Sequence, residues 1–344
     1  MKVIVDAYGG DYAPLEVIKG AVEAHSEYGV DIVLTGDEQE IRSIAEQEKL
    51  SLDGVEIVHA TDVISMNDIP KTILKEHKDC TMAVGLRLLA QGGGDAFVSA
   101  GSTGALLMGA TFLVKRIKGV SRPALGAIIP SDRGPFMLLD SGANLDCRPE
   151  MLYQFARMGS LYMSLVINGG KPATVGLLNV GTEEHKGSDL QHETYALLKN
   201  SDMSFVGNVE ARDVPAGAAD VIVADGFAGN VLLKSMEGTV SMLLSYIKQL
   251  FHTNVITKIA GLIVKPYLQG LKKKMSTEEV GGAPLLGVAK PVIKAHGNSK
   301  AIAIKNAIRV AAEFSKAGVI EKIAASIQEE KQADGTATTD QSAD

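Results

Sequence analysis

The feature that most constrains the fold of this chain is a local pattern that occurs twice. Asp95-Ala-Phe-Val-Ser-Ala-Gly-Ser-Thr-Gly-Ala-Leu-Leu-Met108 reads as a buried strand, a glycine turn carrying hydroxyls, and the first turns of a helix. Asp220-Val-Ile-Val-Ala-Asp-Gly-Phe-Ala-Gly-Asn-Val-Leu-Leu233 repeats the layout, with Gly101 answering to Gly226 and Gly104 to Gly229. Glycine permits a sharp turn and close approach of backbone to a ligand, and the unpaired N–H groups of a helix start favour an anion. Ser99, Ser102 and Thr103 add hydroxyl donors in the first copy, and Asp225 and Asn230 form the polar cargo of the second. In an open parallel sheet the ligand crevice lies beyond the carboxyl ends of the strands, so two such turns can face one cleft. The same layout also arises when two strand–helix units share a packing solution and bind nothing.

The surrounding chain has the alternation that a parallel sheet requires. Strands are expected at Lys2–Asp6, Asp31–Thr35, Val55–His59, the segment before Gly101, Ala124–Ile129, Phe136–Asp140, Thr174–Asn179, Met203–Asn208, Val209–Val214 and Lys290–Ala295. Helices fall between them, with a long helical region over Val231–Phe251 and another over Lys300–Gln328, broken near Gly318. The reading is one large α/β catalytic unit over 1–328, followed by an acidic, disordered tail over 329–344 that is short of apolar residues. A chain of 344 residues, 46% hydrophobic, is long enough to bury a large core. Its net charge of -7 argues against a general nucleic-acid surface. Cys80 and Cys147 form no CxxC or Cys/His cluster, so neither zinc nor a disulfide framework is expected, and a reducing cytoplasm is the simple assignment. Lys2 leads directly into the first strand, with no cleavable signal ahead of it.

The chemistry lies in the repetition of small polar clusters at strand ends. Asp6 and Asp11 flank Gly9 and Gly10; Asp140 and Asn144 flank another glycine turn; Asn179, Glu184 and Lys186 follow the strand at 174–179; His296 and Asn298 close the last. Loops so placed carry ligands because the scaffold fixes them while their backbone donors stay open. There is no GxSxG elbow, no Walker A sequence and no dinucleotide glycine pattern after strand one, so nucleotide cofactors are not expected. Lys186 is a point charge suited to a phosphate or an oxyanion, and His296 is a candidate general acid or anion ligand. Asp6, Asp140 and Asp225 serve equally well as caps that tie down glycine loops. Over Thr253–Met275 the apolar residues Val255, Ile256, Ile259, Ala260, Ile263, Tyr267 and Leu271 recur at three- and four-residue steps. Lys258, Lys265 and Lys272–Lys274 add positive charge, which suits an anionic lipid interface or an acidic protein partner; dimer packing is the plainer alternative. Pro266 is expected to kink or split this helix.

Taken together these motifs resemble one family, the bacterial phosphate acyltransferases of phospholipid synthesis. The resemblance rests on DAYGGD at 6–11, VSAGSTGALL at 98–107, LDSGANLDCRPE at 139–150, LLNVGTEEHKG at 177–187, FVGNVEARD at 205–213, VIVADGFAGNVLLK at 221–234, GGAPLLGV at 281–288 and IKAHGNS at 293–299. Tyr8 and Ser102 depart from it, standing where the family commonly has methionine and asparagine. The resemblance implies a three-layer αβα sandwich with a large, mostly parallel sheet, similar to phosphate acetyltransferase and the isocitrate/isopropylmalate dehydrogenase group. It implies transfer of a long-chain acyl group from acyl carrier protein to inorganic phosphate, without a cofactor or metal. The acyl phosphate formed is amphiphilic and would feed a downstream glycerol-3-phosphate acyltransferase. A homodimer peripherally associated with the cytoplasmic face of the membrane is also implied. Other readings are a coenzyme A-dependent phosphate acyltransferase and a non-catalytic regulator that binds acyl carrier protein.

For such a reaction the residues suggest roles on chemical grounds. Catalytic candidates are Lys186, Asn230, His296 and Asp225, the last by orienting its glycine loop. Substrate and phosphate candidates are Asp6, Gly9, Gly10, Ser99, Gly101, Ser102, Thr103, Gly104, Asn144, Asn179, Gly226 and Gly229. The helix-start amides at 101–104 and 226–230 are expected to hold the phosphate and stabilise the oxyanion.

Overall fold

The computed structural model describes residues 1–274 and 281–340. Its first half builds a sheet from β1 (Lys2–Asp6), β2 (Asp31–Gly36), β3 (Val55–His59) and β4 (Ala96–Ser99), all parallel. Between these strands lie α1 (Leu15–Tyr28), α2 (Glu38–Gln47) and α3 (Thr81–Ala90). After β4 comes α4 (Thr103–Gly109), which widens into a π-helical turn over Ala110–Val114. β5 (Ala124–Leu125) and β6 (Ala127–Ile129) form one extended segment interrupted at Gly126, with β5 in the first sheet and β6 in a second. A side chain at Gly126 would press on Met137, its Cβ lying 3.0 Å from the Met137 sulfur.

The second sheet takes β7 (Phe136–Leu139), β8 (Thr174–Asn179), β9 (Ser204–Glu210) and β10 (Val221–Val223), with α5 (Pro149–Tyr162) and α6 (Asp189–Lys199) between them. Next come α7 (Gly226–Phe251) and α8 (Val255–Lys274). The chain then returns to the first sheet with β11 (Ala283–Leu286) and β12 (Val292–Lys294), before α9 (Ala301–Lys316) and α10 (Val319–Asp340). The sheet orders are β3-β2-β1-β4-β12-β11-β5 and β6-β7-β10-β8-β9. Among the described strands, β11 with its two neighbours and the β6–β7 pair are antiparallel.

Strand alternation decides where the core sits. Val3, Val5, Val98, Met137, Leu139, Val175 and Val221 point to one face and join a single apolar cluster that crosses both sheets beneath α1, α5 and α9. Their neighbours Ile4 and Phe97 point the other way, into a cluster with α3 and α4, whereas Leu138 and Ile222 join a separate one against the start of α7. One face is thus a continuous helical layer. The other is two islands, one on the first sheet that reaches Leu285 of β11 and Val292 of β12, and one on the second sheet, with a gap between them.

Several sequence expectations are corrected. β11 is not among the expected strands, because Gly282, Pro284 and Gly287 give it the look of a loop. The two short strands expected over 203–214 are one strand, β9, whose register against β8 shifts by a bulge at Gly207. α8 runs through Pro266 instead of splitting there; the carbonyl that would have received its N–H belongs to Leu262, which is exposed and open to water. Nor does ordered structure stop at Gln328. Ile323 and Ile327 are buried, and Glu330 accepts from the Tyr153 hydroxyl at 2.9 Å and pairs with Arg157 at 2.7 Å, so α10 is docked beyond the expected start of the tail. Residues 341–344 of that tail, and Met275 at the end of the amphipathic stretch, lie outside the described residues.

Candidate active site between the two sheets

Three adjacent strands, β1, β4 and β12, end side by side at the gap. Asp6 closes β1 and is buried; its carboxylate accepts the Ser99 hydroxyl at 2.7 Å and the Tyr8 amide at 3.3 Å. Burial pushes the Asp6 carboxyl above its ordinary range, opposed by hydroxyls of Thr81 and Ser99. Ser99 in turn accepts from the Gly101 amide at 3.0 Å. Gly9 packs into this knot so closely that a Cβ would stand 2.6 Å from the Gly101 nitrogen. Gly10, at φ 107°, turns the chain so that Asp11 N donates to Gly297 O at 2.7 Å. The loops after β1, β4 and β12 are therefore one connected surface, with His296 exposed on it. Its Nδ1 accepts from Asn298 N at 3.5 Å.

Lys294 ends β12 in register with Ser99. Only 8% exposed, it donates from Nζ to Ala100 O at 3.3 Å and to Ala295 O. Burial pushes its pKa down to about 8. Asp6 and Asp11 oppose that shift, and Lys234 on α7 adds to it by charge repulsion. Lys294 lines a small cavity with Thr103, Leu106, Leu107, Leu125, Leu285 and, from the loop after β7, Ala143. The sequence reading did not single out either lysine. The available signal was a lysine closing the otherwise apolar run Pro291-Val-Ile-Lys-Ala295.

Across the gap the loop after β7 is organised by Asp140, which is fully buried. Its carboxylate accepts from the amides of Leu125 at 2.9 Å, Ala143 at 3.2 Å and Asn144 at 2.6 Å, from the Asn144 side chain at 3.0 Å, and more distantly from Gly142 N at 3.4 Å. The second glycine turn docks on this loop. Gly226 N donates to Asn144 O at 2.7 Å, and a Cβ on Gly229 would fall 2.0 Å from Asp140 O. Asp225 caps α7 by accepting from Phe227 N at 3.0 Å and Ala228 N at 2.9 Å, and Gly229 N donates to Asp225 O. The helix-start amides expected at 226–230 to hold phosphate are thus spent within the protein.

Other candidates divide in the same way. Asn144 spends its side-chain N–H groups on Pro123 O and Asp140. Asn179 accepts from Val180 N and donates to Lys186 O, organising the β8 loop. Gly104 gives room to Pro70, whose Cγ would be 2.6 Å from a Cβ there. Ser102 caps α4 through a long bond from Ala105 N, 3.4 Å. By contrast, the amides of Ser102, Thr103 and Gly104 find no acceptor among the described residues. Asn230 is exposed and lies against Gly142 on the α7 side of the gap. Lys186 stands on the β8 loop, with β10 between that strand and β7.

This is an α/β protein with a large, mostly parallel sheet and a candidate ligand crevice at the carboxyl ends of its strands. Its fold is that of a phosphotransacetylase from Streptococcus pyogenes, with a TM-score of 0.62 at 16% identity over 93% of this chain and 94% of that one. A 4-hydroxythreonine-4-phosphate dehydrogenase from Klebsiella pneumoniae is also similar, with a TM-score of 0.52 at 13% identity over 92% and 99%. Residues 1–322 match the fatty acid synthesis protein family, and the chain belongs to it. A phosphate acyltransferase of Thermoanaerobacterium thermosaccharolyticum is 46% identical over 328 residues, covering 95% of this chain and 97% of that one. One of Clostridium novyi is 45% identical over 330 residues, covering 96% and 99%.

Proposed function

We propose that this chain is a phosphate acyltransferase that passes a long-chain acyl group from the thioester of acyl carrier protein to inorganic phosphate, for phospholipid synthesis. The observation that carries the reading is its membership, over nearly its whole length, in a family whose relatives bear the name phosphate acyltransferase. In the reaction a phosphate oxygen attacks the thioester carbon, the new C–O bond forms, and the C–S bond breaks with its electron pair leaving on sulfur. Phosphate is already a competent nucleophile, so the protein's task is to hold it, align it and stabilise the developing oxyanion. The unspent amides at 102–104 and the residues of the β12 tip suit the first task. Asn230 and Lys186 are assigned to the developing charge, and His296 to protonating the departing thiolate.

The test is direct. Purified protein given a long-chain acyl carrier protein and phosphate releases free carrier and forms acyl phosphate; absence of any phosphate-dependent loss of the thioester rejects the reading. The same assay with an acyl-coenzyme A at matched concentration decides the donor. Lys186→Ala and Asn230→Ala lower kcat/KM by about 10²-fold with the melting temperature unchanged. Values within twofold of the parent remove those residues from the mechanism.

The reading extends to a homodimer that works at the inner membrane surface, beside the acyltransferase that consumes its product. The α7–α8 hairpin supports membrane contact. α8 turns Thr257, Gly261, Val264 and Leu268 away from full exposure, and Gly261 packs on Phe251. Ile256, Leu262, Ile263 and Tyr267 are left at 69% exposure or more. No helix among the described residues is long and apolar enough to span a bilayer, so this surface suits an interfacial position. The parent co-sediments with anionic vesicles, and the Ile259→Glu, Ile263→Glu double variant does not. Dissociation of that variant into monomers instead assigns the stripe to the dimer.

A further inference from the structure

We infer that Lys294 is the seat of the phosphate nucleophile; this rests on the acyl-transfer reading for the identity of the anion but not for its binding. Lys294 is a cation more than nine-tenths buried. Leaving such a charge without compensation is strongly unfavourable, so a fold that keeps one must offset it. The protein supplies two carbonyls, those of Ala100 and Ala295, just beyond the ends of β4 and β12. An ammonium has three donors, and these acceptors occupy two. Among the described residues no carboxylate makes an ion pair with it; Asp6 on β1 and Asp11 after it act from further away. The third N–H is left for a ligand.

The position of that ligand follows from the neighbours. Lys294 shares the wall of a small cavity with Thr103, which follows β4, and with Ala143 in the loop after β7. Lys234 lies two turns into α7, one turn beyond Asn230, and its positive charge disfavours the protonated form of Lys294. The ionic partner of Lys234 is Glu237, on its own helix at 2.7 Å. A phosphate dianion beside Lys294 neutralises its charge and takes the third N–H.

The groups facing Lys294 are Asp6 and Asp11 from the β1 side and Lys234 from α7, with His296 two residues on. With its pKa near 8, Lys294 loses its proton as pH rises through that value, and the seat weakens. Arginine at this position keeps its charge throughout that range.

The experiment uses the full chain and inorganic phosphate, with two readouts: the phosphate-induced rise in melting temperature, and the separate KM values for phosphate and acyl donor. In Lys294→Met, which keeps the volume and removes the charge, the thermal shift disappears and the KM for phosphate rises about 10²-fold, while that for the acyl donor stays within twofold. Lys234→Gln, at an exposed site, raises the phosphate KM about tenfold. In the parent that KM climbs above pH 8, and in Lys294→Arg the climb is absent. A Lys294→Met protein that binds phosphate like the parent overturns the inference, as does a parent with no phosphate-dependent shift at all. Should Lys294→Met fail to fold, unchanged phosphate affinity in Lys234→Gln overturns it instead. If no acyl transfer is found but the thermal shift still depends on Lys294, the anion seat stands and the acyl-transfer reading falls.

Discussion

The turns at 99–106 and 224–230 share glycine spacing, strand and helix, yet they use their backbones in opposite ways. At the second, Asn144 and Asp225 between them take the amides from Gly226 to Gly229. At the first, Ser99 takes only Gly101 N, and the three amides that follow have no acceptor among the described residues. The second turn is a joint, by which α7 is fastened to the Asp140 loop. The first is an open surface next to a buried lysine. Repetition in the sequence therefore reports a shared way of turning from strand to helix and says nothing of a shared task. The polar cargo carries the difference, because an aspartate before the glycine caps its own helix, whereas a serine two residues before it caps less.

The comparison is broken most forcefully at the glycines. In Gly229→Ala the new Cβ would stand 2.0 Å from the backbone oxygen of Asp140, an atom that Asp140's own buried network holds in place. The expected loss is about 3 kcal/mol or more, read from urea unfolding. In Gly104→Ala the clash is with the ring of Pro70, at 2.6 Å, at the start of a short 3₁₀ turn that has room to move. Here about 1–2 kcal/mol is expected, with a larger proportional loss of activity than of stability. If Gly229→Ala unfolds at the parent's urea concentration, the second turn is not a joint.

Charge gives the next largest effect, and it sets the buried cation of the open surface against the carboxylate of the joint. Lys294 has a pKa of about 8 in the fold against an ordinary 10.5. Between those values the unfolded chain holds the extra proton, so the Lys294 contribution to stability rises with pH through that window. Lys294→Met removes the titration. The difference in unfolding free energy between parent and variant should change by on the order of 3 kcal/mol from pH 7.5 to 10.5, in the parent's favour. A constant difference across that range would mean that Lys294 is not held as a desolvated cation.

How much of this was legible in the chain follows from the range of the interactions. Asp6, Ser99 and Thr103 can be placed at strand tips from sequence because an apolar strand followed at once by glycine marks one, and that signal is local. Lys294 is not legible in this way, because the groups that give it meaning, Ala100 O, Asp6 and Lys234, are brought to it by sheet order alone. Gly226 and Gly229 were read as a ligand cradle, since a glycine required by a neighbouring loop looks the same in sequence as one required by a phosphate. β11 was hidden for a related reason: its strand character comes from β12 and β5 on either side and prevails over Pro284. The outward apolar stripe of α8 was legible from periodicity. What could not be read was that a proline on an exposed face would leave the helix unbroken.

The smallest expected effects sharpen the comparison most finely, because they separate capping from chemistry at Asp225. Its Oδ1 accepts two amides, at 2.9 and 3.0 Å, and asparagine caps a helix about as well as aspartate. If Asp225 only fastens α7, Asp225→Asn leaves kcat/KM within about threefold of the parent, and Asp225→Ala costs about 1 kcal/mol of stability. A catalytic carboxylate behaves otherwise: the asparagine variant then loses about 10²-fold in kcat while keeping its stability. The matching change in the first turn is Ser102→Ala. It removes a bond of 3.4 Å and should cost only about 0.5 kcal/mol, at the low end of capping effects. Were Ser102→Ala the more destabilising of the two, α4 would depend on its cap as heavily as α7 does. The amides beside it would then be part of a fixed joint and not open to a ligand. Denaturation curves for the three variants, with initial rates at saturating phosphate, decide between these outcomes.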